Sequence, residues 1–258
     1  MSFIIAEITA SVLVLKLNRP EVLNSFNQTM ALEMQRQLDE AAQNAEIRAV
    51  LITGEGKAFC AGQDLAEVVA PDGPTLTDIV TKHYNPIIEK IALLPKPVIC
   101  AVNGVAAGAG ANIALACDIV LASSNASFIQ AFSKIGLIPD SAGTFFLPRL
   151  IGYQRAMALM ITGDKVSATE ALQMGMIYKV LEPENLMNDA LALAIKIALM
   201  PTKALGYTKQ LLMASVTNNL TQQLAMEAEM QKKSANTYDY NEGVSAFLEK
   251  RKPNFKGE

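Results

Sequence analysis

The chain contains no tryptophan, a single histidine and only three cysteines in 258 residues. His83 is the only imidazole and sits in a helix-forming stretch, so no serine–histidine–acid triad is legible. By itself His83 reads as a surface or packing residue. One histidine and no paired ligand spacing leave no pattern for a metal, and no metal is expected. Cys60, Cys100 and Cys117 are odd in number and widely spaced, which suits neither a zinc site nor a disulfide framework. A reducing cytoplasm is the simplest expected location. Cys60 has no activating base beside it and reads as packing. Charge is also scarce, at 18% of residues with a net −3. A broad basic face is therefore absent and nucleic acid is not an expected partner. No targeting stretch is expected, because Met1 to Ile8 runs straight into a strand-like pattern.

What is plentiful is apolar residue, at 51%. That supports one large domain, or one domain with an appendage. The longest uncharged stretch is PVICAVNGVAAGAGANIALAC, from Pro97 to Cys117, closed by Asp118. A membrane span needs about 20 apolar residues, so the length alone would serve. Pro97 opens the stretch, however, Asn103 and Asn112 interrupt it, and its flanks are amphipathic, so no membrane is expected. A dinucleotide loop fails because Gly108-Ala109-Gly110 is followed by Ala111-Asn112-Ile113 and Asp118 comes too soon; a phosphate loop fails because no Gly-Lys-Ser/Thr follows. Two readings remain open at this point. One is a close-packed strand–helix junction without a ligand. The other is a site where backbone N–H groups, unshielded by Cβ, meet an anion or oxyanion.

Residues 3–8 and 12–17 read as strands around Thr9-Ala10-Ser11. Met30, Met34, Leu38 and Ala41 recur at helical spacing, with Asn27 as the cap. Ala49 to Ile52 is a short strand, and FCAGQDL, 59–65, a tight glycine turn. Leu76 to Leu94 reads as one helix stopped by Pro95. Strands follow at 119–121 and 127–129, and GLIPDSAGT, 136–144, is another loop-to-helix junction. Helices follow around 153–162, 167–174 and 184–199, and beyond Pro201 the chain is nearly all helix-forming. Strands alternating with helices, then helices alone, argue a layered α/β core over 1–198 and a helical appendage over 199–258.

Three junctions could carry chemistry: Ala61-Gly62-Gln63, Gly108-Ala109-Gly110 and Pro139-Asp140-Ser141. Two offer backbone donors. The third offers a carboxyl in an apolar loop, although taken alone Asp140, like Asp64, reads as a helix N-cap.

Together these junctions carry a resemblance. FCAGQDL, then PKPVICAVNGVAAGAGANIALACD, then GLIPDSAGT resembles the crotonase (enoyl-CoA hydratase/isomerase) superfamily, as do the opening LNRPEVLNSFN and the ending EGVSAFLEKRKPNF. The resemblance implies an α/β fold: a spiral of ββα turns with a C-terminal helical trimerisation region. It implies an acyl-CoA substrate whose thioester oxygen meets the N–H groups of Gln63 and Ala109. Ala61, Gly62, Asp64 and Leu65, with Phe247 and Lys250 from a neighbouring subunit, would contact coenzyme A, which is part of the substrate and not a separate cofactor. Phe132, Leu137 and Ile138 would line the acyl pocket, and a homotrimer or dimer of trimers is implied. The tail cations Lys250, Arg251, Lys252 and Lys256 otherwise read as a solvated terminus.

The departures from the family pattern define the expected subclass. The two glutamates with which its hydratases handle water fall here on Asn112 and Phe132, neither of which is a base. Asp140 occupies a position where some members carry their acid, and the missing tryptophan sets aside the dehalogenase branch. YNPIIEKIALLPKPVICAVNGVAAGAGA, AFSKIGLIPD and YDYNEGVSAFLEKR narrow the resemblance to the branch that rearranges a ring-epoxide thioester to an oxepin. Migration of a 3-enoyl double bond uses the same parts. A hydratase and a non-catalytic acyl-CoA-binding subunit are the alternatives.

Overall fold

The computed structural model describes residues 2–258. Ten strands build two sheets: β1 (Ile4–Thr9), β2 (Val12–Leu17), β3 (Ala49–Gly54), β4 (Ala58–Cys60), β5 (Val98–Val102), β6 (Val105–Ala107), β7 (Ile119–Ser123), β8 (Ser127–Ile129), β9 (Lys165–Ser167) and β10 (Lys179–Leu181). The larger sheet runs β1-β2-β3-β5-β7-β10 and the smaller β4-β6-β8-β9. β1 and β2 form an antiparallel hairpin whose turn residues Ala10 and Ser11 are both left-handed, as a tight two-residue turn requires. From β2 to β10 the large sheet is parallel.

The pleat sorts the strands' side chains into two cores. Leu13, Leu15, Val50, Ile52, Val98 and Cys100 face one way and pack with Met30, Met34 and Leu38 of the helix Gln28–Gln43. Val12, Val14, Ala49, Leu51, Ile99 and Ala101 face the other, against Ala190, Ala194 and Ile197 of the helix Leu186–Ala198. Strands covered on both sides need near-continuous apolar sequence, which explains VLVL and AVLI. Asn27 caps its helix by accepting from the Met30 N–H.

Each spiral turn gives one strand to each sheet and then a helix. β3 and β4 precede the helical stretch up to Leu93, β5 and β6 precede the helix Ala109–Leu115, and β7 and β8 precede the helices Gly143–Ile151 and Tyr153–Thr162. The uncharged stretch from Pro97 is thus strand, turn, strand and helix. Among the described residues no single helix is long and apolar enough to cross a membrane. Three further helices close the chain: Thr202–Ala214, Leu220–Ala235 and Tyr238–Leu248. Lys209 on the first ties it to the body, donating to Ile91 O at 2.7 Å and pairing with Asp118 at 2.8 Å.

One helix differs from expectation. The helix read as continuous over 76–94 is α-helical at Leu76–Asp78 and Asn85–Leu93 but π-helical at Ile79–Tyr84. Pro86 explains this. It has no N–H for the carbonyl of Lys82, and its ring crowds that carbonyl in an α-turn. The ladder widens, so that the Asn85 N–H reaches Val80 O. Gln35 Nε2 donates to the released Lys82 O at 2.8 Å and also to His83 O at 3.0 Å. His83 is buried here, which lowers its imidazole pKa.

Candidate active site

The first two junctions are stacked on each other. β4 ends at Cys60, and the chain then runs beside Phe26: the Phe26 N–H donates to Gly62 O at 2.7 Å and the Asp64 N–H to Phe26 O at 2.8 Å. Successive peptide groups of an extended chain alternate, so the Gln63 N–H points away from Phe26. The LNRPEVLNSFN segment holds this arrangement. The Ala61 N–H donates to Leu23 O, and Arg19 reaches both Ser25 O and the Asp64 carboxylate.

The second junction opens the helix Ala109–Leu115, so the Ala109 N–H is one of its unpaired leading donors. Gly108 before it has φ 53° and ψ −127°, a conformation that side chains disfavour. Contact between the junctions demands two more glycines. A Cβ on Gly110 would sit 2.5 Å from Cys60 O, and one on Gly62 would sit 3.0 Å from Ala107 O and 3.6 Å from Ala109 N. The two backbone donors therefore share one small region.

That region opens into a cavity of about 200 Å³ lined by Ala61, Gly62, Gln63, Leu65, Ala109, Phe132, Leu137 and Asp140, and also by Leu76, Ile79 and Tyr84. Asp140 is the only carboxylate in this lining among the described residues. Burial holds its carboxyl above the usual aspartate range, partly offset by the Ser141 hydroxyl, which donates to Oδ1 at 2.8 Å. Ser141 and Ala142, which follow, are both left-handed, at φ 49° and 55°. Such geometry costs about 1–2 kcal/mol per non-glycine residue, so this acid sits on a strained loop.

The other expected site residues divide. Ile138 does not line this cavity but an adjoining groove that shares Leu76, Leu137 and Asp140 with it. It is 81% exposed, because Leu137 turns inward and the next side chain of an extended loop turns out. The Asp64 carboxylate lies outside the cavity lining; it caps the Ala66 N–H and pairs with Arg19. Phe247 is exposed at the end of the last helix and Lys250 follows it with φ 56°. Neither lines the cavity.

The sequence did not single out Tyr84, and it marked Asn112 only as the place of a missing glutamate. The buried Tyr84 hydroxyl donates to Gln63 Oε1 at 3.0 Å, while Gln63 Nε2 donates to Glu67 Oε2 at 3.0 Å, so both ends of the Gln63 amide are held. Burial raises the Tyr84 phenol well above its ordinary pKa and keeps it a neutral donor. Asn112, buried, donates through Nδ2 to Asp140 O at 2.8 Å. Pro86 was the available signal for Tyr84, since it displaces the residues just before it. No cluster of His, Cys, Asp and Glu among the described residues could hold a metal.

Residues 7–258 match the family model described as enoyl-CoA hydratase/isomerase. The chain is 48% identical over 260 aligned positions to 1,2-epoxyphenylacetyl-CoA isomerase of Escherichia coli (strain K12), covering 100% of this chain and 99% of that protein. It is 43% identical to a Rhodobacter capsulatus protein named "Probable enoyl-CoA hydratase", covering 97% and 96% of the two chains. The crystal structure of enoyl-CoA hydratase from Bacillus anthracis superposes with a TM-score of 0.93 at 35% identity, covering 99% of this chain and 100% of the other. A family-wide match and a full-length relative at this identity, on a fold and a two-junction cavity of this form, place the chain in the enoyl-CoA hydratase/isomerase (crotonase) family.

Proposed function

We propose that the protein is an acyl-CoA isomerase in which Asp140 moves a proton while Gln63 and Ala109 hold the thioester oxygen through their backbone N–H groups. The observation that carries this reading is the solitary carboxylate in the cavity, facing the two stacked junctions. A thioester α-proton is too weakly acidic for a carboxylate unless the enolate is stabilised, and each oxyanion donor typically contributes about 10²–10³ in rate. Burial strengthens Asp140 as a base. With a 3-enoyl thioester, the Asp140 carboxylate takes a proton from C2, negative charge spreads to the thioester oxygen and C4, and the same acid returns the proton at C4. No atom is gained or lost. The apolar wall of Phe132 and Leu137 keeps water from the intermediate.

For the acyl group, the relative named 1,2-epoxyphenylacetyl-CoA isomerase supports a ring-epoxide thioester rearranged to its oxepin, with 3-enoyl to 2-enoyl isomerisation as the companion activity. Phe247 and Lys250 would then serve the coenzyme A of a neighbouring subunit in a trimer or dimer of trimers. The second reading, hydration, rests on the hydratase name of another relative. Against it stand Asn112 and Phe132, which offer no base for water.

Turnover of epoxyphenylacetyl-CoA, 3-enoyl-CoA and crotonyl-CoA by the purified protein separates these readings. Isomerisation without hydration, lost by at least about 10²-fold in Asp140→Asn with acyl-CoA binding retained, is expected. Full activity in that variant, or steady hydration of crotonyl-CoA as the main reaction, refutes the proposal.

A further inference from the structure

Asp140 is held from behind by a directional chain of amides. Its carbonyl oxygen accepts from Asn112 Nδ2 at 2.8 Å and from the Gly143 N–H at 2.9 Å. A carbonyl can only accept, so Asn112 must present its NH₂ there and its Oδ1 to the other side. Gln130 Nε2 donates to that Oδ1 at 2.8 Å, and Gln130 Oε1 beyond it is buried without a partner. Both amides are almost fully buried. The loop they hold is the strained one, with Ser141 and Ala142 left-handed directly after Asp140. Gly143 closes over the clamp: a Cβ there would lie 2.4 Å from Asn112 Nδ2. Strained backbone persists only where its surroundings over-determine it, and these contacts do so.

We propose that Asn112 is a positioning residue that acts through Asp140, fixing where its carboxylate stands in the cavity. This inference rests on the isomerase reading, with Asp140 as the acid. It has a chemical corollary. A carboxylate at position 112 would set an acceptor against the Asp140 carbonyl and a negative charge beside its carboxyl. A second carboxylate here would therefore displace the acid already in place and add no working partner to it.

Asn112→Asp is the near-isosteric test. It is expected to lower kcat by at least about tenfold and to move the acid limb of the pH–rate profile upward, because a like charge raises a carboxyl's pKa. Affinity for acyl-CoA should change less than about threefold, since the backbone donors of Gln63 and Ala109 are not part of the clamp. In an Asp140→Asn background the same change should alter the residual rate less than about twofold, as expected of a residue that acts only through Asp140. Should Asn112→Asp fold poorly, Asn112→Ala/Gly143→Ala lets the added methyl fill the vacated space. It should fold, bind acyl-CoA and still lose kcat. Wild-type kcat and an unmoved acid limb in Asn112→Asp, or wild-type kcat in the double variant, overturn the proposal. If Asp140→Asn alone keeps full activity, the isomerase reading fails first, and the two failures are distinguishable.

Discussion

Gly110→Ala tests whether the two junctions must touch for the site to work. The new Cβ would meet Cys60 O at 2.5 Å and Cys60 Sγ at 2.6 Å, about 0.9 Å short of the 3.4 Å where ordinary contact begins. Neither obstacle can swing aside, since one is backbone and the other a thiol buried so completely that its pKa is pushed up to about 12. The junctions must therefore part by most of that distance. Oxyanion donors act at about 2.7–3.1 Å, so a displacement of this size carries one of them out of hydrogen-bond range. The expected loss in kcat is about 10²–10³-fold, or roughly 3–4 kcal/mol of transition-state stabilisation. Overpacking should destabilise the fold by a further 1–3 kcal/mol or so. The assay is kcat on the isomerised thioester together with a denaturant midpoint. Cys60→Gly/Gly110→Ala removes the Sγ and Cβ obstacles but leaves the carbonyl, so it should recover stability more fully than rate. A Gly110→Ala enzyme within about threefold of wild-type kcat would refute the stacked-junction argument.

Three further outcomes follow from the same contacts. Asp140→Asn should raise Tm at pH 7. The folded-state pKa of Asp140 lies above its ordinary value, so its ionisation costs stability as pH rises through that pKa, and the difference should vanish below about pH 4, where the carboxyl is protonated both folded and unfolded; a lower Tm at pH 7 contradicts this. Lys209→Met leaves the Asp118 carboxylate half-buried without its cation and should cost about 2 kcal/mol, measured by urea denaturation, with catalysis unaffected. Ala142→Gly relieves a left-handed backbone at φ 55° and, after the entropy of the unfolded chain is deducted, should stabilise by about 0.5–1 kcal/mol, a Tm rise of roughly 1–4 °C by calorimetry.

Much of the fold was legible because its signals are local. The β1–β2 pair, the Asn27 cap and the glycine pairs at 62 and 110 each announce themselves within a few residues. β4, β6, β9 and β10 were not read; each has three residues, too few to show a period of two, and β8 is the one strand of that length that was read. The donors and the acid were legible as glycine junctions and a lone aspartate. Their meeting in one cavity was not, because Ala61, Ala109 and Asp140 are joined only by the spiral. Which of Leu137 and Ile138 lines the cavity itself was not legible either, because it turns on the direction in which Leu137 points. Pro86 marks the displaced turn that carries Tyr84, but the partners of Tyr84 and Asn112 are not in the sequence, since a tyrosine in a helix and an asparagine in an apolar stretch declare none. Only the packing of distant elements gives Tyr84 an amide to hold and Asn112 a carbonyl.

The π-helical stretch at Ile79–Tyr84 holds one residue more than an α-helix would use for the same rise. It works as a phase shifter. Leu76 and Ile79 lie before or at its start and Tyr84 at its end, yet all three face the same cavity. Removing one residue between 80 and 83 together with Pro86→Ala, which restores the missing N–H, would return the segment to α-geometry and turn everything before it by about 100° relative to Tyr84. Leu76 and Ile79 would rotate off the cavity wall, while the Gln63 and Ala109 donors and Asp140, all on other elements, would stay in place. Chain length in this one segment is thus a control on acyl-group shape that is independent of the chemistry, and single-residue insertions and deletions here reshape the wall without a substitution at the reacting centre.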